Sequence, residues 1–170
     1  MGRALNRFSV VLCVIAGGAT PAAAQDASRV RVEYSHPEKF ADTGRYWGGE
    51  TARDVNLAEL RNHLQRRAAR LLPEDQSLSI LVTEVDIAGG FEPWRTKVGD
   101  VRVIRAAYPP RIDLSFRLTG SDGSVLKEGE RRLRDPLMIG GVLYRGDRLR
   151  YEKALLDEWL ESELPARAGE

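Results

Sequence analysis

Apolar residues in this chain alternate in some stretches and recur every three or four positions in others, and the changes of rhythm mark out its elements. Arg29 to Tyr34 alternates, with Val30 and Val32 on one face, and predicts a first strand ending before His36-Pro37. Leu57, Leu60, Leu64, Ala68 and Leu71 return at helical spacing and predict an amphipathic helix. Asn56 with Glu59 supplies a capping box for its start, Asp54 is a competing cap, and Pro73 stops it. Leu78 to Ala88 reads as the most apolar strand, buried on both faces early in its length, which suits a central place in a sheet. A short strand follows over Val101–Ala106. Arg111 to Thr119 alternates most cleanly, with Ile112, Leu114, Phe116 and Leu118 on one side and Arg111, Asp113, Ser115 and Arg117 on the other. The turn Gly120-Ser121-Asp122-Gly123 leads into Ser124–Arg134, whose many charges suit an edge strand. A last helix is predicted from about Leu149 to Leu164. This order implies an α+β fold in two layers: a mainly antiparallel four- to five-stranded sheet, two helices packed on one face, and a polar opposite face.

The amino terminus breaks this pattern. Arg3 and Arg7 precede an apolar run from Phe8 to Ala16, and small residues lead to Ala22-Ala23-Ala24-Gln25. A basic start, a short apolar middle and an A-x-A site formed by Ala22 and Ala24 predict a secretory signal peptide over residues 1–24. A single domain is expected over residues 25–170, located in the periplasm, with no second segment long enough to span a membrane. Loss of Arg3 and Arg7 takes the basic count from 26 to 24 against 25 acidic residues, so the net charge moves from +1 to −1. A near-neutral chain has no global attraction to nucleic acid. The only cysteine, Cys13, leaves with the leader, which removes disulfide and thiolate chemistry.

Candidate chemistry is sparse. In the last helix Glu152 falls near the centre of an apolar half that includes Tyr151, Leu155, Leu156 and Trp159. A carboxylate there needs a partner, and Arg102 and Arg111 are the candidates for a structural ion pair. Glu84 and Asp86 lie two apart on a strand and share a face, a pattern that serves cross-strand ion pairing, a hard cation, or acid–base work. His36 and His63 have no partner at metal-ligand spacing, so no metal and no other cofactor is expected. No nucleophile elbow, phosphate loop or dinucleotide fingerprint is present, and Arg145-Gly146-Asp147 reads as an ordinary turn. Trp47, Trp94 and Tyr108 fall in irregular segments, where a large ring either plugs the core or meets a partner.

Several segments resemble one bacterial family together: His36–Asp42, Asp86–Trp94, Asp100–Val103 with Tyr108–Ile112, and Leu149–Lys153 with Asp157-Glu158-Trp159. They are similar to domain of unknown function 3016, a family of secreted Gram-negative proteins. The resemblance covers nearly the whole chain after the leader and implies a periplasmic location, with no activity, cofactor or catalytic residue attached. The expected function is a non-catalytic binding or envelope-associated module whose partner is a periplasmic protein or envelope component. Asp86, Glu92, Trp94, Arg102, Arg111 and Trp47 are its candidate binding residues. The alternative is a carboxylate-based hydrolase using Glu84, Asp86, Glu92 and Asp113, which requires two of them to converge without a neutralising arginine.

Overall fold

The computed structural model describes residues 29–40, 50–92 and 102–164. Strand β1 (Val30–Tyr34), helix α1 (Glu50–Leu71) and strand β2 (Ser77–Asp86) form a strand–helix–strand unit, because β1 and β2 pair in parallel. Strands β3 (Gly90–Phe91) and β4 (Arg102–Val103) form a separate two-stranded ribbon. The hairpin β5 (Arg111–Thr119) and β6 (Val125–Arg134) then joins β2 in antiparallel fashion, and helix α2 (Arg150–Glu163) completes the domain. The order of the main sheet is β1-β2-β5-β6. It has four strands, mixed but mainly antiparallel, with the two helices against it in an α+β arrangement of two layers. The strand expected over Val101–Ala106 stays out of this sheet.

Alternation in the strands fixes which face is buried. Val30 and Val32, Leu78, Ile80 and Val82, and Ile112 to Leu118 at every second position meet Leu60, Leu64, Leu156 and Leu160 from the helices. Trp159 packs edge-on to Phe116, with ring centroids 5.7 Å apart. β2 is central, as its composition implies, but it is not buried on both faces. Its side chains alternate between core and surface, and Leu81 is 39% exposed on the side away from the helices. No second layer covers that side among the described residues.

Parity alone would turn Glu84 into the core after Leu78, Ile80 and Val82. A register irregularity between Val82 and Glu84 prevents this. The extra residue, Thr83, returns Val85 to the core and leaves Glu84 and Asp86 on the outer face. The capping-box expectation also needs correction. α1 is already helical at Glu50, and Asn56 is a buried residue inside it. The helical pattern marked the packed stripe rather than the helix's beginning, since the earlier turns bury little. At the β5–β6 turn, Gly123 takes a positive φ of 79° and Asp122 accepts hydrogen bonds from the Ser124 amide and hydroxyl, as tight hairpins require.

Leu64 is 1% exposed where α1 meets the sheet. Leu64→Ala is expected to lower stability by about 3 kcal/mol, read as an earlier urea midpoint with an unchanged slope.

Candidate functional site

The residues singled out from sequence do not gather at one place. Trp47 and Trp94 lie outside the described residues. Asp86 and Arg111 are cross-strand neighbours at the outer end of β2 and β5, and Arg134 follows Arg111 on β6. Glu92, Arg102 and Glu152 gather instead around the turn that leaves β2. Glu152 is fully buried, and its Oε1 accepts the Ala88 amide proton at 2.6 Å. Arg102 donates to the carbonyls of Ile87, Ala88 and Gly89. The turn thus gives its N–H to the carboxylate and its C=O groups to the guanidinium, so acid and base meet across a shared piece of backbone. Gly89 sits here at φ 91°, and a Cβ would come within 2.9 Å of the Val103 carbonyl. Nearby, buried Glu92 receives the Tyr108 hydroxyl at 3.4 Å and lies 3.7 Å from Arg105.

A second cluster lies between the helices. Glu59 meets Lys153, His63 meets Asp157, and Arg67 meets Glu161, each pair 94 residues apart in sequence. The constant offset means that α1 and α2 run in the same direction. Tyr144 donates its hydroxyl to the second oxygen of Asp157, and its ring stands edge-on to His63. Lys153 also bonds Asp147, while Arg148 reaches Glu59 at 3.1 Å. A further clamp ties the end of α2 to β6: Glu163 receives Arg131 at 2.5 Å and Lys127 at 2.7 Å.

A third region is the helix-free face of the sheet. A shallow trough of about 480 Å³ crosses all four strands there. Its floor is Ser79, Leu81 and Ser115, with Arg31 and Glu33 on one side and Arg117 on the other. Arg31 and Glu33 pair at 2.5 Å, and Arg117 pairs with Glu128 at 3.0 Å. A neighbouring hollow shares Ser115 and Glu130 with the first and extends it past Thr83, Asp113 and Arg132. Asp113 is held by Arg134 at 2.6 Å.

Residues 28–162 match the family described as protein of unknown function, DUF3016. The chain belongs to that family. No curated protein matches it. Membership places this DUF3016 domain in the periplasm, the location shared by the family. No helix among the described residues is long and apolar enough to cross a membrane. Among the same residues no three His, Cys, Asp or Glu side chains stand together as metal ligands. The hydrolase reading finds no support: Asp113 and Glu92 each face an arginine, and Asp86 is in register with Arg111.

Sequence reasoning missed the interhelical ladder, although a signal exists. Glu59, His63 and Arg67 recur at intervals of four, as do Lys153, Asp157 and Glu161, with opposite charges in matching order. The ionisations follow from the contacts. Burial pushes the Asp157 carboxyl up, but the hydrogen bonds from His63 and Tyr144 and the charges of His63 and Arg67 outweigh it, so its pKa is lowered. The Tyr144 hydroxyl is pushed up to about 12 by burial and by Asp157. Glu59, Asp147 and Glu163 are likewise lowered, because their lysine and arginine partners outweigh burial. Glu152 moves the other way: burial raises it, and the Ala88 amide and the Arg102 charge compensate only in part.

Two outcomes follow from these directions. Lowered carboxylates contribute stability that is present above their unfolded pKa values and lost as the pH falls through the folded ones, so acid unfolding should set in below about pH 4. Asp157→Ala, which strands His63 and Tyr144, is expected to cost about 2 kcal/mol at pH 7 and to flatten that acid limb in urea titrations. The raised carboxyl of Glu152 has the reverse sign: its contribution is present at low pH and lost as the pH rises through the folded pKa. Glu152→Gln should therefore melt above the parent at pH 8, with the difference closing toward pH 4.

Proposed function

We propose that this DUF3016 domain is a non-catalytic periplasmic binding module, exported by a leader removed after Ala24, which holds a protein partner on the helix-free face of its sheet. The observation that supports this reading is the trough itself. It joins a small-residue floor with Leu81 at its centre to walls of paired charges of both signs. Walls of mixed sign suit a polypeptide surface, which also carries both signs, better than a polyanion. The titratable groups that sequence brought forward as chemical are engaged by arginine, tyrosine or backbone partners, which leaves exposed surface as the place for contact.

Two charges in the extended trough, Glu130 and Arg132, have no ion-pair partner among the described residues. They are poised to meet opposite charges on whatever docks, and the cross-strand neighbours Asp86 and Arg111 lie at the outer end of the same face. Trp47 and Trp94, which lie outside the described residues, remain in the proposal as aromatic candidates for that contact.

A photo-crosslinking residue in place of Ser115 is expected to capture a discrete periplasmic protein, and the same group in place of exposed Asn62 on α1 should not. Arg117→Glu, which breaks the pair with Glu128, should reduce that capture by about tenfold or more while the melting temperature holds. Equal capture from both positions would remove the sheet face as the binding surface.

A further inference from the structure

Between β6 and α2 the chain displays Leu137, Ile139, Val142 and Leu143 at 73, 66, 61 and 79% exposure. Scattered exposed aliphatics are ordinary, but four within seven residues form a patch that asks for an occupant. The segment is firmly seated. Asp135 accepts the Met138 amide proton at 2.8 Å, and residues Gly140–Val142 make a 3-10 turn. The two glycines of that turn press against α2: a Cβ on Gly140 would meet the Ala154 Cβ at 2.8 Å, and one on Gly141 would run into the Tyr151 ring. Met138 is held at a positive φ of 53°. With the glycines turned inward, the aliphatic side chains stand outward as an exposed knob.

The charge around this knob selects its occupant. From Arg131 to Arg150 the chain has six arginines and two aspartates; Arg131, Arg134 and Arg148 are paired with Glu163, Asp113 and Glu59, and Arg150 lies over the Tyr151 ring. Arg132 and Arg145 are exposed and have no ion-pair partner among the described residues, and Arg145 lies two positions from Leu143. Aliphatic tips flanked by guanidinium groups match a flat anionic phospholipid surface. The tips enter the acyl boundary while the arginines remain at phosphate level. We propose that residues 137–143 form an insertion loop by which the domain binds the surface of an anionic phospholipid bilayer. This surface shares only Arg132 with the hollow that extends the trough on the sheet, and the proposal requires only the periplasmic location, since phospholipid leaflets border that compartment.

The experiment is co-sedimentation of the protein recovered from the periplasm with vesicles of phosphatidylethanolamine and phosphatidylglycerol, beside vesicles of phosphatidylcholine alone. Binding is expected to the anionic vesicles, and Ile139→Asp with Leu143→Asp should weaken it by more than about tenfold without changing the melting temperature. Leu143→Trp gives a second readout that does not depend on weakened binding. Its added fluorescence should be quenched by lipids brominated in the acyl chains. Three results would overturn the proposal: no binding to anionic vesicles, binding indifferent to the loop substitutions, or an added tryptophan that brominated chains leave unquenched. A crosslink from position 139 to a protein in place of lipid would reassign the loop to protein docking. Arg117→Glu on the sheet face should leave vesicle binding intact, so failure here and failure of the trough reading are separately visible.

Discussion

Two helices that run side by side in the same direction set their peptide dipoles against each other, and the charges of α2 add to the difficulty. Lys153 lies near its positive end, and Glu161 and Glu163 lie near its negative end. Local rules disfavour each of these placements. They are resolved by partners elsewhere: Glu59 and Asp147 for Lys153, Arg67 for Glu161, and Arg131 with Lys127 for Glu163. The ladder between α1 and α2 is therefore what allows both helices onto one face of the sheet. It also fixes their register, because shifting either helix by one turn would bring Glu59 opposite Asp157 or His63 opposite Lys153.

That arrangement engages many of the ionisable groups in the structure. Asp157 is bonded by His63 and Tyr144, Glu152 holds the amide of the turn after β2, and Arg102 collects the carbonyls of the same turn. A group that closes a helix–helix or helix–turn junction is poorly placed to move a proton to a substrate. The polar interior of this domain specifies how its layers fit together, and the proposed contacts fall on the surfaces left over.

Those surfaces follow from building the domain in two layers. A single layer of helices leaves the other side of the sheet uncovered among the described residues, so its outer side chains are mostly small or charged, with Leu81 an exception. The β5–β6 hairpin has to connect to α2 across the end of the sheet. The connection turns on Gly140 and Gly141 pressed against the helix, which sends its aliphatic side chains outward. The trough and the knob are thus separate products of one architecture, lying on a face and at an end.

Much of this was legible in the sequence. The strict alternation from Arg111 to Thr119 identified both the strand and its buried face, and the leucine spacing from Leu57 to Leu64 identified the packed stripe of α1. These are local periodicities, and one buried face enforces them residue by residue. The outward turn of Glu84 depended on a bulge, which changes parity without any signature in side-chain type. The meeting of His63 with Asp157, and of Glu152 with the Ala88 amide, joined positions 94 and 64 residues apart. Sequence by itself determined which residues turn inward, because water acts on each one separately. Only the tertiary structure decided which charges meet, because pairing depends on helix direction and register, and these arise when the layers close.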